Sequence, residues 1–326
     1  MNAIVSRKLL ESRSPAEIID YPDHSAQFVI SRQVSCYYDR ADEALWSRWS
    51  PVGIPSFNLE LLHDLERASQ MIEGYFSEDG AERPLRYVVL RSGAPGAFSV
   101  GGDLGYFQRL IETQDRARLT EYARAAINVQ YRNYCAHNLR GVTTIALLEG
   151  DALGGGLECA LSCDTVIAEK HVKAGFPEVL FNMFPGMGGM SFLERRVNRQ
   201  VANEMVRTGR LYTAAELLEL GVIDQIVDTG DGRKAVYELF RQREHQQAAH
   251  VAMNMAERLV RPLTFQQLHD VVNLWVDCAL QLAPRSLQWM QRLYQRQLSI
   301  FGTPLESVVA ESAASAAADD LVAVAA

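Results

Sequence analysis

Two glycine-rich loops restrict the fold of this sequence more than any other feature. Gly101-Gly102-Asp103 and Gly154-Gly155-Gly156 each follow an apolar segment with the pattern of a strand and precede a helical stretch. Glycines let the backbone approach another group closely, and the first N–H groups of a helix are unsatisfied donors near the positive end of its dipole. Neither run has the GxxxxGK(S/T) or GxGxxG spacing of a nucleotide site. The loops therefore predict a site for an oxyanion, the alternative being tight turns or a phosphate-binding loop.

Helical and extended patterns alternate around these loops. Three successive helix-then-strand pairs follow one another: 57–76 with 86–90, 116–138 with 143–148, and 157–163 with 164–168. Alternation of this kind predicts an α/β protein with mainly parallel strands.

The chain from Met190 onward is almost wholly helical in pattern. Thr213 followed by Glu216 is the signature of a capping box, and the segments 264–282 and 284–301 are amphipathic. We divide the chain into an α/β core at residues 1–210, a C-terminal helical region at residues 211–301, and an alanine-rich tail at residues 302–326 that we expect to be flexible.

Charge and composition narrow the range of partners. A formal net charge of −8 argues against nonspecific binding to nucleic acid or to an anionic membrane, since both need clustered cations. No apolar run approaches the roughly 18 residues of a membrane span, and the N-terminal segment lacks the features of a secretion signal. We expect a cytoplasmic protein. The five widely spaced cysteines predict reduced, mostly buried thiols, and the scattered histidines predict no metal site.

Two glutamates lie in apolar surroundings close to the second loop. Glu158 is on the first turn of the short helix in LGGGLECALSC, and Glu178 follows Pro177 in GFPEVLFNMFPGMGG. Burial raises a carboxyl pKa and a neighbouring carboxylate raises it further, which suits one acid and one base near neutral pH. Alternatively, Glu158 only stabilises a helix N-terminus and Glu178 is a surface loop residue.

These segments together resemble the crotonase superfamily, the enoyl-CoA hydratases and isomerases. The resemblance runs from about Phe57 to Val227 through FNLELLHDL, FSVGGDL, IALLEGDALGGGLECALSCDTVIAE, FPEVLFNMFPGMGG and LYTAAELLELGVIDQIV. It implies an α/β fold built as a spiral of ββα repeats with a C-terminal helical region. It further implies a homotrimer or dimer of trimers that acts on an acyl thioester of CoA or acyl carrier protein without a cofactor.

By this resemblance, Gly102 and Gly155 supply the N–H groups of an oxyanion hole, and Glu158 and Glu178 are the paired acids of a hydratase. We expect Glu178 to remove the α-proton of a 3-hydroxyacyl thioester and Glu158 to protonate the departing hydroxyl, although the roles could be exchanged. Retention of both acids favours hydration or dehydration over other reactions of the superfamily.

A narrower resemblance is to the synthases of diffusible signal factor, the cis-2-unsaturated fatty acids of bacterial quorum sensing. The segments GGDLGYFQRLI and NLWVDCALQL contribute to it. It implies dehydration of a 3-hydroxyacyl group on acyl carrier protein, a following thioesterase step, and a signalling-protein partner. Leu153, Gly154, Trp275 and Leu280 would then bind the acyl chain. Trp275 fits equally well as an ordinary packed aromatic of an amphipathic helix.

Two other functions fit the same motifs. An ordinary enoyl-CoA hydratase of fatty-acid degradation would share both glutamates and both loops, and a noncatalytic crotonase-fold module would share the fold alone. Arg195, Arg196 and Arg199 form a candidate dock for an acidic carrier protein, although such a cluster is more often a solvated helix face. Ser162 and Cys163 have no neighbouring histidine and are expected to pack rather than react.

Overall fold

A computed structural model describes residues 17–20, 25–77 and 84–302. Within these ranges the strands are β1 (Glu17–Asp20), β2 (Ala26–Val29), β3 (Val34–Asp39), β4 (Ala44–Trp49), β5 (Tyr87–Ser92), β6 (Ala97–Ser99), β7 (Thr143–Leu148), β8 (Asp151–Leu153), β9 (Thr165–Glu169), β10 (Lys173–Gly175), β11 (Leu211–Thr213) and β12 (Gln225–Val227). The α-helices are α1 (Leu59–Ser77), α2 (Leu104–Glu112), α3 (Arg116–Tyr134), α4 (Gly155–Leu161), α5 (Gly189–Arg196), α6 (Arg199–Thr208), α7 (Ala214–Glu219), α8 (Gly232–Arg243), α9 (Gln247–Val260), α10 (Phe265–Leu280) and α11 (Pro284–Phe301).

The described strands form two sheets. The large sheet has the order β1-β2-β3-β4-β5-β7-β9-β12, and the small sheet has the order β11-β10-β8-β6. In the large sheet β1 to β4 are antiparallel neighbours, whereas β4, β5, β7, β9 and β12 run parallel. The prediction of mainly parallel strands is therefore confirmed for the part of the sheet that follows α1.

Side chains of the large sheet alternate between two cores because successive residues of a strand face opposite ways. In β5, Val88 and Leu90 enter the main core, which α1 and α3 cover, while Tyr87 and Val89 enter a smaller cluster against α8. Tyr87 stacks on Phe240 of α8 with ring centroids 4.2 Å apart. Because both faces of these strands are buried, their sequences are nearly continuous apolar runs.

Three ββα units build the spiral and position the site. The first strand of each unit, β5, β7 or β9, joins the large sheet, and the second, β6, β8 or β10, joins the small sheet. β6, β8 and β10 are parallel neighbours, so their carboxyl ends meet at one edge. Both glycine loops and the segment of Glu178 leave the small sheet at this edge. The predicted α/β spiral of ββα repeats is confirmed.

Four strands that the sequence pattern did not reveal precede α1. They cover Glu17–Asp20 and the range from Ala26 to Trp49, for which the sequence pattern predicts no strand. The signal was present in VSCYYD of β3, where buried and more exposed residues alternate. It was difficult to detect because β4 is buried at five of its six positions and shows no alternation.

The C-terminal part largely follows its predicted elements. Thr213 and Glu216 form the expected capping box of α7, and α10 and α11 occupy the two predicted amphipathic stretches. α10 packs on α3 and α11 on α2, while β11 and β12 extend the two sheets. The three-part division of the chain stays a prediction, and beyond Gly302 its alanine-rich tail lies outside the described residues. None of the described helices has the length and apolar character needed to cross a membrane.

A buried histidine follows α3 in an unusual backbone conformation. Ala136, His137 and Asn138 have positive φ values of 48°, 52° and 57°, a region that costs most side chains energy. His137 is 1% exposed and lines a cavity of about 10 Å³, and neither ring nitrogen has a hydrogen-bond partner among the described residues. Burial, and secondarily the charge of Arg132, lowers its pKa from 6.5 to about 4, against the opposing effect of Glu73.

His137 should make folding stability depend on pH. Below pH 6.5 the unfolded chain gains a proton at this position, whereas the folded chain gains it only near pH 4. The contribution of His137 to the free energy of unfolding should therefore fall by about 3 kcal/mol as the pH is lowered through this interval. Chemical denaturation measures the free energy of unfolding of the wild type and of His137→Asn at each pH. The difference between the two free energies should change with this slope, because asparagine accepts a positive φ but does not titrate. An unchanged difference at pH 7 and pH 4 would refute it, and His245→Asn, at an exposed position, serves as the control.

Candidate active site

Glu158 is a buried carboxylate that the backbone of a distant loop binds. It lies in the first turn of α4, is 2% exposed, and its Oε1 accepts the N–H groups of Met187 and Gly189, each at 2.8 Å. Burial raises the pKa of Glu158 to about 7, while the two backbone donors oppose that rise. The hydrogen bonds favour the ionised form, so Glu158 keeps access to both protonation states near neutral pH.

Glu178 lies in the 3-10 helix Pro177–Phe181, which follows β10. The residue is half-buried, but its Oε2 atom is closed off from solvent and has no hydrogen-bond partner among the described residues. Burial and then the charge of Glu158 raise the pKa of Glu178 well above its ordinary value. An unpartnered carboxyl oxygen in such surroundings favours the protonated form.

Gly154 lies between the Glu178 carboxyl and the helix that carries Glu158. A Cβ atom placed on Gly154 would lie 2.4 Å from Oε1 of Glu178, and Gly154 directly precedes the helix that carries Glu158. Gly154 also has a φ of 51°, a conformation that glycine adopts without strain. The site therefore joins one carboxyl whose ionised form is stabilised by two hydrogen bonds with one whose surroundings favour the protonated form.

The two glycine loops lie side by side. A Cβ atom on Gly155 would be 3.7 Å from the backbone nitrogen of Gly102, and a Cβ atom on Gly101 would be 3.0 Å from the carbonyl oxygen of Leu153. The N–H of Glu158 donates to the carbonyl of Gly154 at 3.0 Å. Because a trans peptide points its N–H opposite to its C=O, this bond aims the Gly155 amide out of the helix N-terminus. Both loops thus bring backbone donors to one place.

Of the four predicted acyl-binding residues, the structure brings Leu153, Gly154 and Trp275 to this region. Leu153 ends β8 beside Gly101. Trp275 of α10 is buried against Gly186 and against the ring of Phe107, whose centroid lies 5.1 Å away.

Leu280 ends α10, five residues after Trp275. Its carbonyl accepts the side chain of Gln114, beyond the far end of α2, whereas Gly102 precedes the start of that helix. The backbone of Leu280 therefore lies near the C-terminal end of α2, whereas the first glycine loop lies at the N-terminal end of that helix.

The arginine cluster has a structural role. Arg195 donates to carbonyl oxygens of Ser191, Arg261 and Pro262. Arg196 donates to the carbonyl of Cys163 at 2.7 Å, just after α4, and forms an ion pair with Asp224 at 2.9 Å. Only Arg199 of the three is classed among the exposed residues of the described chain. This arrangement weakens the hypothesis that the cluster docks an acidic carrier protein.

Sequence reasoning missed the backbone partners of Glu158. Met187 and Gly189 lie in the glycine-rich segment PGMGG, which had been noted only as part of the surroundings of Glu178. Ser162 and Cys163 are buried as expected, and Ser162 donates to the carbonyl of Cys159 at 2.6 Å. In the described part of the chain no group of three metal-ligating side chains is close enough to hold a metal ion.

Comparisons with known proteins identify the family. The family profile described as Enoyl-CoA hydratase/isomerase matches residues 54–284. The chain belongs to the enoyl-CoA hydratase/isomerase family. It is 30% identical over 210 residues to the probable enoyl-CoA hydratase 2, mitochondrial, of Arabidopsis thaliana, covering 64% of each chain. It spans about half to two thirds of the length of the curated relatives that it matches.

Solved structures of low sequence identity share the fold. Human mitochondrial delta3-delta2-enoyl-CoA isomerase superposes with a TM-score of 0.67 at 20% identity, covering 82% of this chain and 98% of that one. Pseudomonas aeruginosa DspI superposes with a TM-score of 0.56 at 22% identity, covering 76% and 95%. The enoyl-CoA hydratase/isomerase fold therefore extends beyond the profile match and includes C-terminal helices.

Removal of the charge at Glu158 should lower the pKa of Glu178. In Glu158→Gln the amide oxygen can still accept from Met187 and Gly189, but the anion that repels ionisation of Glu178 is lost. The pKa of Glu178 should move toward its ordinary value and stay above it, because burial remains. Carboxyl-carbon NMR or infrared titration measures the change. Glu112→Gln, at an exposed position of α2, should leave it unaltered, and an unaltered pKa in Glu158→Gln would show that the two carboxyls do not interact.

Proposed function

We propose that this chain catalyses the reversible addition of water to a 2-enoyl thioester, with Glu158 and Glu178 as the base and acid. The observation that carries the proposal is that Glu158 and Glu178, two carboxyls with raised pKa values, lie beside two glycine loops at one sheet edge. A hydratase needs this combination: one group that takes a proton, one that gives a proton, and donors for the charge that develops on the carbonyl oxygen.

In the proposed reaction the thioester oxygen lies between the N–H groups of Gly102 and Gly155. Glu158 takes a proton from water as the water oxygen bonds to the β-carbon. Negative charge moves to the thioester oxygen as an enolate, and Glu178 then gives its proton to the α-carbon. The product is a 3-hydroxyacyl thioester. At the end of the reaction Glu178 has lost one proton and Glu158 has gained one. Each oxyanion donor can contribute roughly 3 kcal/mol to the transition state.

The two directions of the reaction start from different protonation states of the pair. Hydration starts with a proton on Glu178 and an anion at Glu158, which is the state that the hydrogen bonds of Met187 and Gly189 support. Dehydration, in which Glu178 removes the α-proton and Glu158 protonates the hydroxyl, starts only after the proton has moved to Glu158. An enzyme of this type works in both directions with the same two carboxyls, so the pair fits an ordinary enoyl-CoA hydratase as well as a dehydratase.

The finer hypothesis is a synthase of diffusible signal factor, which dehydrates a 3-hydroxyacyl group on acyl carrier protein and releases a free cis-2-enoic acid. The place of Trp275 supports a bound acyl chain near the loops, because its ring packs between Gly186 and Phe107. Hydrolysis would use the same oxyanion donors and one glutamate as general base, with no serine or cysteine nucleophile. A signalling-protein partner belongs to this hypothesis.

A homo-oligomer, as a trimer or a dimer of trimers, also forms part of the proposal. α9 has no buried residue in the described chain, yet it presents Met253, Met255, Leu259 and Val260 to solvent. A helix that exposes so many large apolar side chains is typical of a surface that another subunit covers.

Each glutamate should be needed for turnover. Glu158→Gln and Glu178→Gln should each lower kcat for hydration of a 2-enoyl-CoA by about 100-fold or more, since each removes one proton-transfer step. Loss of the enoyl absorbance measures the rate, and calorimetric binding of the acyl-CoA should be retained. Glu112→Gln is the matched control. Near-normal turnover in both active-site variants would exclude this mechanism.

Product analysis separates the two enzymes. A 3-hydroxyacyl group is supplied once on acyl carrier protein and once on CoA, and mass spectrometry follows the products. An ordinary hydratase gives a reversible mixture of thioesters, whereas the synthase gives free cis-2-enoic acid from the carrier-protein substrate. If the wild type releases free acid and Glu158→Gln and Glu178→Gln do not, the release depends on this site. The complete absence of free acid with the wild type would exclude the synthase.

A further inference from the structure

The direction of the Gly102 amide depends on a backbone bond to Phe57. Gly101 and Gly102 share one peptide plane, in which the N–H of Gly102 points opposite to the carbonyl of Gly101. That carbonyl accepts the N–H of Phe57 at 2.8 Å. The bond therefore fixes the direction in which Gly102 presents its own N–H, away from Phe57.

This peptide needs an external support because its own sequence provides little. Gly101 has a φ of 98°, and consecutive glycines allow many alternative orientations of the peptide between them. A rotated peptide would turn the Gly102 N–H away from the site. The segment that holds Gly101 must therefore be rigid itself.

Tyr122 of α3 provides that rigidity. Its hydroxyl donates to the carbonyl of Phe57, and its side chain is fully buried. Burial, and then the charge of Asp103, raises the pKa of Tyr122, so the hydroxyl remains a donor at all physiological pH values. The carbonyl of Phe57 thus accepts a hydrogen bond from Tyr122, and the N–H of Phe57 donates one to the carbonyl of Gly101. These two bonds connect α3 to the glycine loop.

The ring of Phe107 fills the space between Tyr122 and the loop. It packs edge-on against Tyr122 with centroids 4.7 Å apart. A Cβ atom on Gly102 would lie 2.6 Å from the Phe107 ring and 3.3 Å from the Tyr122 hydroxyl oxygen. The rings of Phe107 and Tyr122 therefore enclose the loop at Gly102 and leave no room for a side chain there.

We propose that Tyr122 is a positioning residue which, through the backbone of Phe57, aims the N–H of Gly102 at the thioester oxygen. The inference rests on the proposed function, because it assigns a task within the same site. Tyr122 itself touches no reacting atom. Its hydroxyl acts on the reaction through two successive hydrogen bonds and one peptide plane.

The test uses Tyr122→Phe in the full chain, with Tyr134→Phe as the matched control. Both substitutions remove one buried hydroxyl from α3, but the hydroxyl of Tyr134 has no hydrogen-bond partner among the described residues. Tyr122→Phe should lower kcat for 2-enoyl-CoA hydration by about 10-fold and leave KM within about twofold, since a misaimed donor loses part of its transition-state effect. Tyr134→Phe should leave both constants unchanged.

A second measurement reports the oxyanion donors without turnover. The carbonyl stretch of a bound 2-enoyl-CoA, identified by carbon-13 labelling of the thioester carbon, shifts to lower frequency when donors polarise the bond. Tyr122→Phe should show a smaller shift than the wild type, and Tyr134→Phe the full shift. Should Tyr122→Phe fail to fold, Phe107→Leu, which loosens the packing of Tyr122, should reduce the shift in the same direction.

The outcomes separate this inference from the proposed reaction. If Tyr122→Phe shows the same carbonyl shift as the wild type, the positioning role is overturned, even if kcat falls. The same holds for Phe107→Leu where that variant replaces Tyr122→Phe in the test. A wild type that binds the thioester with a shifted carbonyl but does not hydrate it would refute the hydratase. If Tyr122→Phe then shows a smaller carbonyl shift than this wild type, the positioning role is still supported.

Discussion

The site depends on the contact between the Glu158 carboxylate and the N–H groups of Met187 and Gly189. Burial alone would raise the pKa of this group until it stayed protonated, and it would then resemble Glu178. Two backbone donors reduce that effect and leave Glu158 with a pKa of about 7. The same contact ties α4 to the start of α5. One interaction therefore sets both the chemistry of the first carboxyl and its position relative to the second.

Backbone hydrogen bonds orient the two glycine peptides of the site. The peptides that precede Gly102 and Gly155 each have a carbonyl that accepts a hydrogen bond, from Phe57 in one case and from Glu158 in the other. Glycine makes these tight approaches sterically feasible, as at Gly154, where any side chain would collide with Glu178. It also removes the conformational preference that would hold the peptides in place. Hydrogen bonds from neighbouring segments supply that preference, so the donors are fixed before a substrate binds, as electrostatic stabilisation of a transition state requires.

The sequence allowed the parallel part of the fold and the central residues of the site to be predicted, because both follow from local patterns. Apolar runs such as Thr143–Leu148 gave strand bounds directly, and the family motifs placed both glutamates and both loops. The early antiparallel strands were missed, since β4 is buried on nearly every residue. The roles of Met187 and Tyr122 also escaped prediction. Each acts through a contact between residues far apart in the chain, and no local pattern encodes such a pairing.

The buried groups also link the site to folding stability, and with opposite signs. Burial raises the pKa of Glu158 from 4.5 to about 7, so between these values the folded chain keeps a proton that the unfolded chain has lost, and stability falls as pH rises. Glu178 acts in the same direction. His137, with its pKa lowered from 6.5 to about 4, makes stability rise with pH over an overlapping interval. Each of Glu158 and His137 accounts for about 3 kcal/mol over its full range. Between pH 4.5 and 6.5 the slope from His137 partly offsets the slopes from Glu158 and Glu178, so the net pH dependence of the wild type would understate how strongly these three groups are perturbed, two of which the proposed chemistry requires.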